Sequence, residues 1–139
     1  MNARRLFLLL LAPGFVALAS CEPSEKRLPT FPVTGSVVFA DKKPAANATV
    51  VFHPTDPAIT VRPRGKVGAD GAFQLTSYDG HDGAPAGKYR VTVELWLAGR
   101  PDKGPSNRLP EKFAKPESSG LAATVGPGPT TLDPFALKR

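Results

Sequence analysis

The sequence predicts an all-β domain, a seven-stranded two-sheet Greek-key sandwich, on three observations. From Val33 onward, apolar and polar residues alternate with the period of two that half-buried strands show. Glycine, proline and Asp-Gly turn signals recur throughout the same region. No segment of useful length has the 3.6-residue period of an amphipathic helix. Many short strands in one domain, with no disulfide available, are typical of a sandwich.

Two alternating runs predict the first two strands. The apolar positions that share a face in each run are Val33, Val37 and Phe39, followed by Ala48, Val50 and Phe52. A hairpin is predicted over residues 66–75, because Asp70 can bond to its local backbone and Gly71 can adopt a positive φ.

Residues 87–97 form the longest predicted strand, which we expect at the centre of the core. Its apolar face contains Tyr89, Val91, Val93, Leu95 and Leu97, and Trp96 points to the other side. Residues 98–118 follow as a long connection, and such a length is typical of a functional or mobile loop.

Two further strands are predicted near the end of the chain. Leu121, Ala123 and Val125 resume the alternation. A last strand over about residues 131–137 would lie at an edge or contain a bulge, because Pro134 cannot donate a ladder hydrogen bond.

The motifs of residues 33–93 resemble the carboxypeptidase-regulatory-like domains, which have a transthyretin-like (prealbumin-like) sandwich. These motifs are Val33-x-Gly35-x-Val37-x-Phe39, Pro44-x-x-x-Ala48-x-Val50-x-Phe52, Gly65-x-Val67-x-x-Asp70-Gly71-x-Phe73-x-Leu75 and Gly87-x-Tyr89-x-Val91-x-Val93. The resemblance implies this fold for residues 33–139 and no catalytic set. The C-terminal part is similar to that of small bacterial lipoproteins with this domain.

Residues 1–20 have the layout of a secretory signal peptide, with Arg4 and Arg5 before an apolar stretch. Pro13-Gly14 interrupts that stretch, which is too short for a comfortable transmembrane helix. Leu18-Ala19-Ser20-Cys21 then resembles the lipobox of bacterial lipoproteins, which implies lipidation of Cys21 and a membrane anchor. The alternative is a non-lipidated secretory signal that leaves Cys21 as a free thiol.

Residues 21–32 are predicted to be a lipidated cysteine followed by a stiff, proline-rich tether. The expected location is the cell envelope, and the outer membrane or cell surface is favoured over the inner membrane because Glu22 is not the retention Asp of enteric bacteria. The formal charge of +6 comes from scattered residues. An exported chain rarely meets nucleic acid, so we expect no nucleic-acid partner.

No residue set specifies a reaction, a cofactor or a metal ion, and the sequence predicts a chain that is not an enzyme. Asp79, His81 and Asp82 offer metal-ligand types, but their spacing matches no standard calcium loop. A transthyretin-like hydrolase is disfavoured because the chain lacks that family's Tyr-Arg-Gly-Ser ending.

The favoured function is a membrane-anchored accessory module that docks another envelope protein or a glycan. Trp96, next to Arg90 and Glu94 on the outer face of its strand, is the candidate anchor for a partner. The competing and preferred expectation is that residues 98–118 fold back and cover Trp96 with Leu109 and Phe113. A carbohydrate-binding module is the alternative function, with Trp96 and Tyr78 as its aromatic candidates.

Overall fold

The computed structural model describes residues 26–138, which form a β-sandwich. The all-β prediction is confirmed. Within this described part of the chain there are ten strands, which in chain order are β1 Val33–Phe39, β2 Thr49–Pro54, β3 Arg64–Lys66, β4 Ala72–Gln74, β5 Gly87–Glu94, β6 Trp96–Leu97, β7 Ser106–Asn107, β8 Leu121–Val125, β9 Thr130–Thr131 and β10 Phe135–Leu137. One 3-10 turn, Glu111–Ala114, precedes β8.

Eight of these strands form two four-stranded sheets, and β6 and β7 form a separate ribbon. In the first sheet β1 lies between β4 and the pair β9 and β10. The second sheet has the order β3-β2-β5-β8, so β5 is an inner strand as predicted. The predicted last strand is two short strands that both pair in parallel with β1, and Pro134 lies in the break between them.

The core is formed by the inward residues of both sheets. Its centre is Phe52, whose ring lies 6.3 Å from Phe73, 5.6 Å from Tyr89 and 6.3 Å from Phe135 between centroids. Buried aliphatic residues surround these rings, as the alternation predicted for β1, β2 and β5. Such tilted and edge-on aromatic contacts add to the stabilisation from burial alone.

The predicted hairpin at Asp70-Gly71 is a turn between two sheets, which corrects the sequence prediction. The turn chemistry is as expected, since Asp70 Oδ1 accepts a hydrogen bond from the Ala72 amide and Gly71 has φ +88°. However, β3 pairs with β2 and β4 pairs with β1. A bridge between Arg64 and Thr76 joins the sheets at this side of the sandwich.

The segment that we assigned to the tether is partly attached to the sandwich. Phe31 and Ala84 exchange backbone hydrogen bonds of 2.9 and 3.0 Å. The Leu28 amide donates to the Tyr78 hydroxyl at 3.1 Å. The chain therefore contacts the domain from about residue 27 onward, although we expected the tether to continue up to residue 32.

No helix within residues 26–138 is long and apolar enough to cross a membrane.

Candidate docking surface at one end of the sandwich

Trp96 and Leu97 form β6, which leaves the core sheet directly after β5. Trp96 pairs with Asn107, and Leu97 pairs with Ser106, across the two-stranded ribbon. Trp96 is 56% exposed and Leu97 is 42% exposed, and within residues 26–138 no other large hydrophobic residues are so exposed. The prediction that Leu97 lies on the core face is wrong, because β5 ends at Glu94.

Asn107 holds the ribbon in place. Its side-chain oxygen accepts hydrogen bonds from the amides of Leu95, at 3.0 Å, and Leu109, at 3.1 Å. The Arg108 amide donates to the Leu95 carbonyl at 2.8 Å. Sequence reasoning missed Asn107, since an asparagine in a polar connection shows no pattern that distinguishes it from a solvated turn residue.

The expectation that the long connection covers Trp96 is also wrong. Leu109 and Phe113 are buried with the core residues rather than placed over the indole. The 3-10 turn that contains Phe113 packs against β5. Thr92, which alternation places on the outer face of β5, is accordingly only 4% exposed. The connection is thus partly folded, with β7 and the 3-10 turn following its exposed residues 98–105.

The two charged residues proposed beside Trp96 have different positions. Glu94 accepts a hydrogen bond from the Trp96 indole nitrogen at 2.8 Å, so the polar edge of the ring is satisfied while much of the side chain stays exposed. Arg90 pairs with His53 in the sheet and lines a shallow depression with His53 and Pro116. Trp96 therefore forms a hydrogen bond with Glu94, whereas Arg90 lies beside His53 and Pro116.

A basic loop extends the same surface. Residues 98–105 are all exposed and connect β6 to β7. Residues 98–108 contain three basic residues, Arg100, Lys103 and Arg108, and one acidic residue, Asp102. We call residues 96–108, with the apolar pair Trp96 and Leu97 and these basic side chains, the tip.

The tip and the tether segment lie at opposite ends of β5. Gly87 begins β5 shortly after Ala84, the residue bridged to Phe31. Glu94 ends the strand, and Trp96 follows. An eight-residue strand is about 25 Å long. Tyr78, the second aromatic candidate for sugar binding, contacts Leu28 at the tether end, so the two candidates form no common site.

The loop of residues 79–83 is organised by its own backbone. The Asp82 carboxylate accepts hydrogen bonds from the amides of Ser77, Tyr78 and Asp79, at 2.7, 3.0 and 3.2 Å. Partial burial acts to raise the pKa of Asp82, but these amide hydrogen bonds outweigh it and lower that pKa. Within residues 26–138 no three metal-ligating side chains converge. Asp82 therefore acts as the acceptor that shapes a turn.

His53, the second histidine, lies under the long connection on the outer face of the sheet. Its Nε2 is 2.9 Å from the Thr92 hydroxyl. Burial, followed by the positive charge of Arg62, lowers the pKa of His53. The side chain thus belongs to a packed region of the sheet, far along the chain from His81. Cys21 and the signal-peptide residues lie outside the described part of the chain.

No protein-family model matches the sequence, and no curated protein is significantly similar to it. Two solved structures are similar. One is a 9R-lipoxygenase from Cyanothece PCC8801, with 21% identity and a TM-score of 0.38 over 80% of this chain and 16% of that chain. The other is the dioxygenase domain of a dioxygenase carbohydrate-binding protein fusion from Streptomyces sp. SirexAA-E, with 23% identity and a TM-score of 0.39 over 83% of each chain.

Both matched structures come from enzymes, which contradicts the prediction that this chain is not an enzyme, and that prediction is withdrawn. At these identities and TM-scores, the matches assign no reaction or ligand to this chain.

Proposed function

We propose that the protein is a lipoprotein of the bacterial cell envelope, anchored through a lipid on Cys21, whose sandwich presents the tip to a second envelope component. The observation that supports this most directly is the position of the tip. The exposed pair Trp96 and Leu97 lies at the end of β5 away from the segment that leads to Cys21. A domain attached at one end and apolar at the other is suited to joining two components.

The anchor is supported by Leu18-Ala19-Ser20-Cys21 directly after an apolar signal-like stretch. Several acyl chains would hold the protein stably, because one chain alone gives only marginal binding. We retain the outer membrane or cell surface as the proposed location. The resemblance to carboxypeptidase-regulatory-like domains is part of this proposal, and the sandwich architecture agrees with it.

Attachment of residues 27–31 to the sandwich would shorten the free tether. Residues 22–26 remain between the lipidated cysteine and the Arg27 contacts, and five extended residues span at most about 17 Å. The tether end of the sandwich would therefore stay close to the headgroups, and the accessible orientations of the tip would be restricted.

Inhibition of the lipoprotein signal peptidase tests the anchor. We expect a larger, lipidated precursor to accumulate. The variant Cys21→Ser should show no lipid attachment and should leave the membrane fraction. Unchanged processing of the native chain under inhibition would overturn the anchor.

In-cell photo-crosslinking from position 96 tests the presenting surface. A photoreactive residue in place of Trp96 should form a reproducible adduct with an envelope protein, glycan or lipid. The matched control is the same residue in place of Lys88, an exposed position of β5 nearer the tether end. Equal yields from both positions would show that the tip is no special contact surface.

A further inference from the structure

The size and chemistry of the tip indicate what it contacts. The exposed parts of Trp96 and Leu97 amount to roughly 200 Å², whereas a stable protein interface buries about 800 Å² on each partner. The surrounding loop adds charged and small residues, not further large apolar ones. An exposed apolar pair of this size is better suited to inserting into a lipid surface than to forming a stable protein interface.

A sugar-binding site is also a poor fit to the tip. Trp96 is the only tryptophan of the chain, and Tyr78 lies at the tether end. The indole nitrogen already donates to Glu94, so its hydrogen bond is not free to orient a sugar hydroxyl. One exposed ring without a second aromatic neighbour provides stacking but little selectivity.

We propose that the tip docks on an anionic bilayer surface. Tryptophan is enriched at the headgroup level because its ring is apolar and its edge is polar. Leu97, its neighbour in β6, would enter the boundary of the acyl chains. Arg100, Lys103 and Arg108 supply charge complementary to anionic headgroups, and each basic residue near such a surface raises affinity about fivefold.

This inference rests on the proposed function and names the second envelope component as lipid. Because the tip and the tether lie at opposite ends of β5, contact of both with one membrane requires the sandwich to lie along the bilayer. The segment from Cys21 to Arg27 spans up to about 20 Å, which is long enough for that arrangement. The lipid on Cys21 and the tip would then be two separate points of attachment.

The fluorescence of Trp96 tests the inference, since no other tryptophan contributes. The native lipidated protein, purified from membranes, is reconstituted in vesicles of phosphatidylcholine alone and in vesicles that also contain phosphatidylglycerol. Both are prepared with and without bromine-labelled acyl chains. We expect a blue-shifted emission and quenching by bromine in the anionic vesicles, both reduced by added salt.

The variant Arg100→Gln/Lys103→Gln should lower this quenching severalfold. Arg62→Gln/Lys88→Gln, which removes one arginine and one lysine from exposed positions outside the tip, is the matched control and should quench as the native chain does. Unshifted emission in anionic vesicles, with the indole still open to acrylamide, would overturn the inference. Flotation with neutral vesicles reports the lipid anchor separately, so a protein that floats without quenching leaves the proposed function intact.

Discussion

The guanidinium of Arg27 lies 2.7 Å from the carboxylate of Asp79, which joins the start of the described chain to a loop 52 residues away. The same guanidinium lies 5.2 Å from the centre of the Tyr78 ring. Both charged side chains are mostly exposed. An exposed pair contributes little to global stability, about 0 to 1 kcal/mol, so its effect is local.

Arg27→Ala should release the tether segment without unfolding the sandwich. We expect faster amide hydrogen exchange at Leu28, whose amide donates to Tyr78, and a melting temperature close to that of the native chain. Lys26→Ala is the control, and it should leave exchange at Leu28 unchanged. Equal exchange in all three proteins would mean that Arg27 does not hold the segment.

Asp82→Ala should destabilise the domain by about 1–3 kcal/mol, because three backbone amides lose their acceptor. Urea unfolding measures this loss. Asp79→Ala is the comparison, since it removes a nearby carboxylate that forms only an exposed ion pair. If the two variants were equally stable, the amide hydrogen bonds of Asp82 would not matter to folding.

The contribution of Asp82 to the free energy of unfolding should also be lost in acid. Its pKa in the folded protein is below the ordinary value of 3.8, so the ionised carboxylate is stabilised by folding. Its contribution is present above pH 3.8 and is lost as the pH falls through the lowered pKa. We therefore expect the native chain to lose more stability than Asp82→Ala across this acidic range.

Protonation of His53 should oppose folding. Its folded pKa is below 6.5, so the unfolded chain binds a proton at a higher pH than the folded chain does. Stability should therefore fall as the pH drops from about 6.5 towards the folded pKa, and then level off. In His53→Gln this part of the stability curve should be flatter. His81→Gln, at an exposed position, is the control, and an unaltered curve in His53→Gln would contradict the assignment.

Gly83→Ala should weaken the attachment of residues 27–31 and the domain as a whole. Gly83 has φ +88°, and a Cβ there would lie 1.8 Å from the Phe31 carbonyl oxygen. We expect a loss of about 2 kcal/mol or more, measured by thermal unfolding. Gly80→Ala is the matched control, because a Cβ there meets no atom within 4 Å. Similar melting temperatures for both variants would refute the steric argument.

The alternation of side chains predicted the features that depend on local sequence. The burial of Val37, Val50 and Phe52 follows from period-two patterns, and the inner position of β5 follows from the length of its alternating run. The positive φ of Gly71 follows from turn chemistry. These features depend on a few neighbouring residues, so one sequence is enough to indicate them.

Pairing between distant segments was not predictable in the same way. A turn such as Asp70-Gly71 reverses the chain equally well within one sheet or between two. The alternation also continues through Leu95 to Leu97, although the side chain of Asn107 binds the Leu95 amide and β6 pairs with β7. The exposure of Trp96 depends on those distant partners, so the sequence favoured the wrong outcome.

The parallel pairing of β1 with β9 and β10 has a consequence for when the domain can fold. The first strand of the sandwich finds these neighbours only at residues 130–137. Contacts so distant in sequence form late, since closing a long loop precedes any gain from the contact. A chain that emerges from a ribosome or an export channel with its N-terminus first cannot complete its first sheet until residues 130–137 have emerged. Its unfinished β1 edge is then the part that a chaperone must protect.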